Sequence, residues 1–253
     1  MSSACLNKVA AGRRVLPRGW GHFARQLGIW FGFLFAYQLA RGLADRNPAR
    51  AFQNGLDVIQ VEQRVHGLIE LSLQNFVASS HVVEMVAGWT YWNSEFSVVG
   101  LALLWVYLRR HDAFYRFRNT ILLANVIGLF GYVLLPTAPP RMFPDFGFRD
   151  SLASMHGLNT GSGLVQLAAN PYAAMPSLHA ADALIVGIVL ASLCRRRISK
   201  ALWLLWPAWV WFTVLATGNH FWLDVVAGIV LGAIALAIVY RPRARRRAAP
   251  AAA

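Results

Sequence analysis

Two histidines in this chain stand at the edges of long apolar runs, where their side chains could transfer protons or act as nucleophiles. His179 follows Pro176 and Ser177, and His220 stands four residues before Asp224. A neutral imidazole exchanges protons near neutral pH, and histidine is costly inside a bilayer but not at its edge. On a helix, a spacing of four would let the carboxylate hold one nitrogen of His220 and leave the other free to attack. The two motifs therefore predict chemistry at a membrane surface.

The His-Asp pair alone is also compatible with a buried structural contact. A third polar group, Arg141 in the run Pro139-Pro140-Arg141, favours catalysis because the topology predicted below puts it on the same side of the membrane. Asp182, three residues after His179, is a further candidate to hold the ring of that histidine.

The composition indicates an integral membrane protein. The chain of 253 residues is 57% hydrophobic and 14% charged, and its apolar stretches reach the roughly 20 residues that a spanning helix needs. Its net charge of +13 comes from clusters of Lys and Arg at the ends of apolar runs, a pattern that encodes membrane orientation rather than nucleic-acid binding. Cys5 and Cys194 are the only cysteines, so we expect no disulfide and no cysteine-based metal site.

The apolar runs predict an all-α polytopic membrane protein with six transmembrane helices. The predicted spans are residues 24–44, 82–108, 119–136, 178–194, 201–218 and 221–240. Residues 45–80 show the periodicity of amphipathic helices that lie at the interface, and residues 137–175 form one long loop. Residues 24–240 are thus a single membrane domain between a basic N-terminal tail, 1–23, and a basic disordered C-terminal tail, 241–253.

The distribution of basic residues predicts the orientation of these helices. Of the 24 Lys and Arg residues, 18 lie in the first 25 residues, in the C-terminal tail, and in residues 109–118 and 195–200. Cytoplasmic segments carry such an excess, so we expect both termini in the cytoplasm, with the basic tails against anionic lipid head groups. The long loop, His179 and His220 would then face outward from the cytoplasmic membrane.

Three motifs of the chain resemble those of a known enzyme family. An Arg after a proline-rich helix end, then Pro-Ser-x-His, then His-x-x-x-Asp occur here in the order typical of the type 2 phosphatidic acid phosphatase superfamily. The runs 136–141, 170–180 and 217–220 are similar to its aureobasidin-resistance branch, which is inositol phosphorylceramide synthase-like, and to actinobacterial members of that branch. The resemblance covers about residues 85–235.

The resemblance implies roles for the motif residues. His220 matches the nucleophile that forms a phosphohistidine, Asp224 the carboxylate that orients it, and His179 the acid that protonates the leaving oxygen. Arg141 matches a phosphate-binding residue, and Ser177 with backbone amides at a helix start would complete the anion site. Candidate substrate contacts flank the motifs: they are Asn170, Tyr172, Asn219 and Arg149.

The chain departs from the general pattern of the superfamily at three positions. Leu134, Leu178 and Val214 stand where the superfamily has Lys, Gly and Arg, and the synthase-like branch also departs at such positions. Two phosphate-binding cations are therefore missing. Three arginines are candidates to supply the charge: Arg118, Arg149 and Arg41. The predicted topology favours Arg149.

These observations predict a membrane phosphatase or phosphotransferase that acts on a lipid phosphate or phospholipid, without metal or cofactor. If a lipid-phosphate alcohol or another hydroxyl, such as that of a polyol, replaces water as acceptor, the enzyme becomes an inositol-phosphate-type transferase. Such an enzyme moves a phospho-head group between lipids, with an acceptor pocket built from residues 45–80 and 137–175. The alternative of another class is a non-catalytic transporter or lipid-binding subunit. Transporters usually carry ionisable groups near the bilayer centre, whereas here they lie at helix ends, which favours an enzyme.

Overall fold

The computed structural model describes residues 16–43, 47–151 and 171–241. Within these ranges all regular elements are helices, which confirms the predicted all-α class. The α-helices are α1 Gly19–Leu43, α2 Pro48–Arg64, α3 Glu70–Ala78, α4 His81–Asn93, α5 Val99–Arg109, α6 His111–Leu134, α7 Leu178–Leu193, α8 Arg197–Ala216 and α9 Trp222–Tyr240. A π-helical turn, Ser94–Val98, joins α4 to α5, and short 3₁₀ turns follow α6 at Pro140–Met142 and Pro144–Phe146.

Several helices have the length and apolarity of membrane spans. By these criteria α6, α8 and α9 can cross a membrane, and α7 is an apolar helix of 16 residues. The predicted span 82–108 corresponds to α4, the π-helical turn and α5 in succession. Helix α6 begins at His111, ahead of the predicted 119, because its polar first turns precede the apolar run. The count of six spans stays a prediction.

The segment predicted to be interfacial forms the two helices α2 and α3. Asn47 caps α2 by accepting a hydrogen bond from the backbone N–H of Arg50 at 3.2 Å, and Pro48 occupies the first helical position. The apolar face of α2 packs on the loop after α6 and on the residue that precedes α9. This cluster contains Val58, Ile59, Phe143, Phe148 and Phe221. Helix α2 therefore covers the end of the bundle at which the motifs lie.

Helix α7 packs against α6, α8 and α9 and is buried along most of its length. Ser177 caps its start, since the Ser177 hydroxyl oxygen accepts from the backbone N–H of Ala180 at 3.3 Å. Gly228 of α9 allows close approach here, because a Cβ at this position would collide with the Ser177 carbonyl. The starts of α7 and α9 are thereby held together.

Backbone hydrogen bonds bring the three motif segments to one place. Thr137 N–H donates to the carbonyl of Tyr172 at 2.8 Å, and Arg141 N–H donates to the carbonyl of Gly218 at 2.9 Å. Gly218 has a φ of 69°, a left-handed conformation that lets the chain turn between α8 and His220. The loop after α6 thus contacts both the segment before α7 and the turn before α9.

Candidate active site

The motif residues line a small polar cavity of about 40 Å³ at the starts of α7 and α9. Its lining consists of Arg41, Tyr91, Glu95, Tyr132, Pro139, Arg141, Pro171, Ala173, Ala174, His179, Asn219 and His220. The two histidine rings lie 5.7 Å apart between centroids. Two imidazoles and two guanidinium groups therefore share one space, a set of side chains that could bind a phosphate group and transfer protons to it.

The ring of His220 is held by a backbone carbonyl. Its Nδ1 lies 2.9 Å from the carbonyl oxygen of Ala174 and 3.5 Å from Oδ2 of Asp224. A carbonyl oxygen only accepts hydrogen bonds, so in the neutral ring the proton is on Nδ1 and the lone pair is on Nε2. That tautomer is the one in which Nε2 can act as a nucleophile.

The local geometry of His220 and Asp224 differs from the expected single helix face. His220 lies outside α9, which begins at Trp222, and Asp224 occupies the first turn of that helix. Asp224 Oδ2 accepts a hydrogen bond from the backbone N–H of Phe221 at 2.9 Å. The carboxylate thus caps the start of α9, and the chain leading into the helix brings His220 beside it.

Two further carboxyl groups complete this cap. Glu70 Oε1 accepts from the backbone N–H of Trp222 at 2.7 Å, and Glu62 Oε1 accepts from that of Leu223 at 3.1 Å. Both side chains are fully buried. Burial, together with the nearby Glu70 charge, raises the pKa of Glu62, and burial raises the pKa of Glu70. Helices α2 and α3 therefore fix the backbone that follows His220.

His179 is positioned by residues that the sequence did not single out. Its Nε2 lies 3.3 Å from Oε2 of Glu95, and its ring stacks on Tyr91 with centroids 4.5 Å apart. Glu95 stands on the π-helical turn between α4 and α5, a feature that often marks functional sites. An acidic residue inside the predicted span 82–108 is the signal that could have identified it. Asp182, the other candidate for this role, instead accepts from Asn125 Nδ2 at 3.1 Å.

Arg141 reaches the cavity from the 3₁₀ turn after α6. Its Nη1 donates to Oδ1 of Asn219 at 2.5 Å, and its Nε lies 3.7 Å from Oδ2 of Asp150. Asn219 Nδ2 in turn donates to the hydroxyl of Thr217 at 2.9 Å. Two of the sequence-derived candidates, Arg141 and Asn219, thus contact each other at the cavity wall.

Other candidates lie outside the cavity lining or outside the described residues. The Ser177 hydroxyl accepts its hydrogen bond from Ala180 and does not line the cavity, so its phosphate-binding role stays a prediction. Tyr172 packs against Phe52 with ring centroids 6.1 Å apart. Asn170 lies outside the described residues.

The three arginines that could supply a second cation lie in different places. Arg118 donates to Gln26 and Asn119, away from the cavity. Arg149 Nη2 donates to Oδ1 of Asn75 at 3.2 Å, and Arg149 is likewise not part of the lining, although the predicted topology favours it. Arg41 is the candidate that lines the cavity.

No group of three or more metal-ligating side chains suited to an ion occurs in residues 16–43, 47–151 and 171–241. The carboxyl groups of Glu62, Glu70 and Asp224 are each bonded to the backbone at the start of α9.

Comparison with known proteins supports the resemblance seen in the motifs. A model of the PAP2 superfamily matches residues 56–238. A phosphoinositol dihydroceramide synthase from Bacteroides thetaiotaomicron is 30% identical over 164 residues, covering 58% of this chain and 52% of that protein. An inositol phosphorylceramide synthase from Candida albicans is 26% identical over 120 residues, covering 42% of this chain and 25% of that protein. The chain thus spans about half the length of the first relative and a quarter of the second. No solved structure matches it.

Proposed function

Because the chain belongs to the PAP2 superfamily, we propose that it is a membrane enzyme that removes or transfers the phosphate group of a lipid. The observation that carries this proposal is the cavity that His179, His220 and Arg141 line together. The ring centroids of the two histidines lie 5.7 Å apart in it. One imidazole can attack phosphorus, the other can move a proton, and the guanidinium can bind the phosphate oxygens. A non-catalytic membrane protein would not need these three groups in one space.

In the first step of the proposed mechanism, Nε2 of His220 attacks phosphorus. The bond between phosphorus and the leaving oxygen breaks as the N–P bond forms, and the leaving oxygen takes a proton from His179. The Ala174 carbonyl keeps the Nδ1 proton of His220 in place. Asp224, 3.5 Å from the same nitrogen, offsets the positive charge that the ring acquires in the phosphohistidine.

In the second step, an oxygen nucleophile attacks the phosphohistidine. His179 takes the proton of that nucleophile, the N–P bond breaks, and His220 is regenerated. With water as the nucleophile, a lipid phosphate yields inorganic phosphate and a phospholipid yields its phosphorylated head group. With an alcohol as the nucleophile, the product is a new phosphate ester. The names of the two relatives favour the second case, so an inositol-phosphate-type transferase is the second candidate function.

We also propose that the cavity opens to the outer face of the cytoplasmic membrane and that both termini are cytoplasmic. The 18 of 24 basic residues that the charge count assigns to the opposite face support this orientation. The substrate would then be a lipid phosphate or phospholipid of the outer leaflet, and the basic tails would bind anionic lipid heads at the inner leaflet.

The experiment that tests the function uses purified protein in detergent with a panel of lipid phosphates and phospholipids carrying ³²P. Reactions run with and without inositol or glycerol, and free phosphate is separated from new phospholipid. We expect one labelled product in the wild type, persisting in EDTA, and none in His220→Ala. If folded wild-type protein releases or transfers no label from any lipid of the panel, the proposed function is wrong.

A further inference from the structure

The charges around the cavity do not favour a phosphate group unless a further cation is present. The Nε of Arg141 lies 3.7 Å from Oδ2 of Asp150, and the carboxylate of Glu95 lies in the cavity lining beside His179. Asp150 offsets the charge of Arg141, and Glu95 offsets the charge that His179 carries when it is ready to donate a proton, so these four groups leave no net positive charge for an entering phosphate. Binding of a phosphate group therefore requires at least one more cation at this position.

Arg41 meets that requirement from an element outside the matched family region. It stands in the last turn of α1, ahead of residue 56 where the family match begins, and its side chain lines the cavity with His179 and His220. The guanidinium lies over the ring of Tyr132, with Cζ 5.9 Å from the ring centroid. Tyr132 is buried, so this contact holds the guanidinium at the cavity wall.

The Nε of Arg41 is buried, and within the described part of the chain it has no hydrogen-bond partner. A buried N–H without an acceptor is costly, and a guanidinium can direct a fork of donors to one oxyanion. An anion bound in the cavity would supply the missing acceptor. The Nε–H group of Arg41 therefore indicates a ligand with free anionic oxygens.

We propose that Arg41 is the second phosphate-binding cation of this site and that it binds the substrate phosphate together with Arg141. The inference rests on the proposed function. It assigns part of the substrate site to α1 and identifies the ligand group as a phosphate with at least two unesterified oxygens, one for each guanidinium.

Binding of orthovanadate, a phosphate analogue, tests the proposal without turnover. Isothermal titration would compare the wild type with Arg41→Gln, Arg41→Lys and Arg141→Gln, each purified in detergent. We expect Arg41→Gln and Arg141→Gln each to bind about ten- to a hundredfold more weakly, because a charge-assisted hydrogen bond is lost, and Arg41→Lys to recover part of the affinity. The control is Arg64→Gln, an exposed cation at the end of α2, which should bind as the wild type does.

The outcomes separate this inference from the proposed function. If the wild type binds vanadate, the Arg41→Gln variant binds it more weakly and neither turns over a lipid, the phosphate-binding role of Arg41 is supported and the proposed enzymatic function is rejected. Affinity within twofold of the wild type in folded Arg41→Gln, or no vanadate binding by the wild type, would overturn the role of Arg41.

A measurement on the wild-type protein covers the case in which Arg41→Gln does not fold. Butanedione modifies arginine side chains, and peptide mass spectrometry reports the extent at each position. Saturating orthovanadate should slow modification of Arg41 and leave that of Arg64 unchanged. Equal modification of Arg41 with and without vanadate, or no reaction at Arg41 in either state, would contradict the proposal.

Discussion

Oε2 of Glu95 lies 3.3 Å from Nε2 of His179, and both side chains are largely buried. The π-helical turn that carries Glu95 interrupts what would otherwise be a continuous helix from α4 through α5. Tyr91, one turn earlier, stacks on the His179 ring. His179 is therefore held in position by residues of the first half of the chain, whereas its own motif supplies only the helix start.

Glu95→Gln tests this positioning role. The amide keeps the size of the side chain but removes its charge. We therefore expect turnover to fall about tenfold or more, with the ~10²–10⁴-fold that acid-base catalysis supplies as the upper bound. The pH dependence of kcat should also shift, which loss of packing alone would not cause. The matched control is Glu84→Gln in the first turn of α4, and an unchanged pH profile in folded Glu95→Gln would count against the role.

The leaving group reveals whether His179 donates a proton. His179→Ala should slow the release of a poor alkoxide far more than that of p-nitrophenolate, which departs without protonation. Steady-state kcat/KM for an alkyl and a p-nitrophenyl phosphate ester would be compared in the wild type and the variant. Equal losses on both substrates would show that His179 positions the phosphate and does not act as an acid.

The buried carboxyl groups of Glu62 and Glu70 predict how stability depends on pH. Their pKa values are raised mainly by burial, so the folded protein binds more protons than the unfolded chain above about pH 4. Their contribution to stability is present below that pH and is lost as the pH rises through the raised pKa. We expect the Tm in detergent to fall between pH 5 and pH 9.

Glu62→Gln should make that pH dependence shallower. The amide oxygen can still accept from Leu223 N–H, and the amide mimics the protonated carboxyl group. Asp57→Asn, at an exposed position of the same helix, serves as the control. A slope of Tm against pH that is as steep in Glu62→Gln as in the wild type would refute this account of the pair.

Membrane orientation can be tested with single cysteines in a background without Cys5 and Cys194. The charge distribution predicts that Asp145→Cys and Thr160→Cys react with an impermeant thiol reagent in intact cells and that Ile198→Cys does not. Labelling would be read by a gel shift before and after cell disruption. The reverse pattern would place the cavity on the cytoplasmic side and remove outer-leaflet lipids as substrates.

The sequence predicted the parts of this site that are local in the chain. The helix start at residue 178, the turn before α9 and the proximity of His220 to Asp224 follow from short-range spacing, helix capping and apolar runs. Contacts between segments that are far apart in the sequence cannot be predicted from such local patterns. The hydrogen bond between His220 and the Ala174 carbonyl depends on the path of the chain into α7. The spacing of side chains in the sequence does not encode that path.

The same limit applies to Glu95 and Arg41. Glu95 faces His179 because a π-helical turn interrupts an apolar stretch that reads as one continuous span. Arg41 lies in the cavity because of how α1 packs beside the bundle, and its neighbours in sequence carry no motif. Charge counting favours Arg149 instead, because it assigns a residue to a membrane face but does not give the direction of its side chain.

The central claim, attack by His220 on phosphorus, is tested most directly by trapping the phosphorylated enzyme. Wild-type protein incubated briefly with a ³²P-labelled lipid substrate and denatured in alkali should retain an acid-labile label, and mass spectrometry should place it on His220. Asp224→Asn should retain slow labelling because the Ala174 carbonyl still holds the ring, and His220→Ala should retain none. Wild-type turnover by His220→Ala, or a label on another residue, would contradict the account.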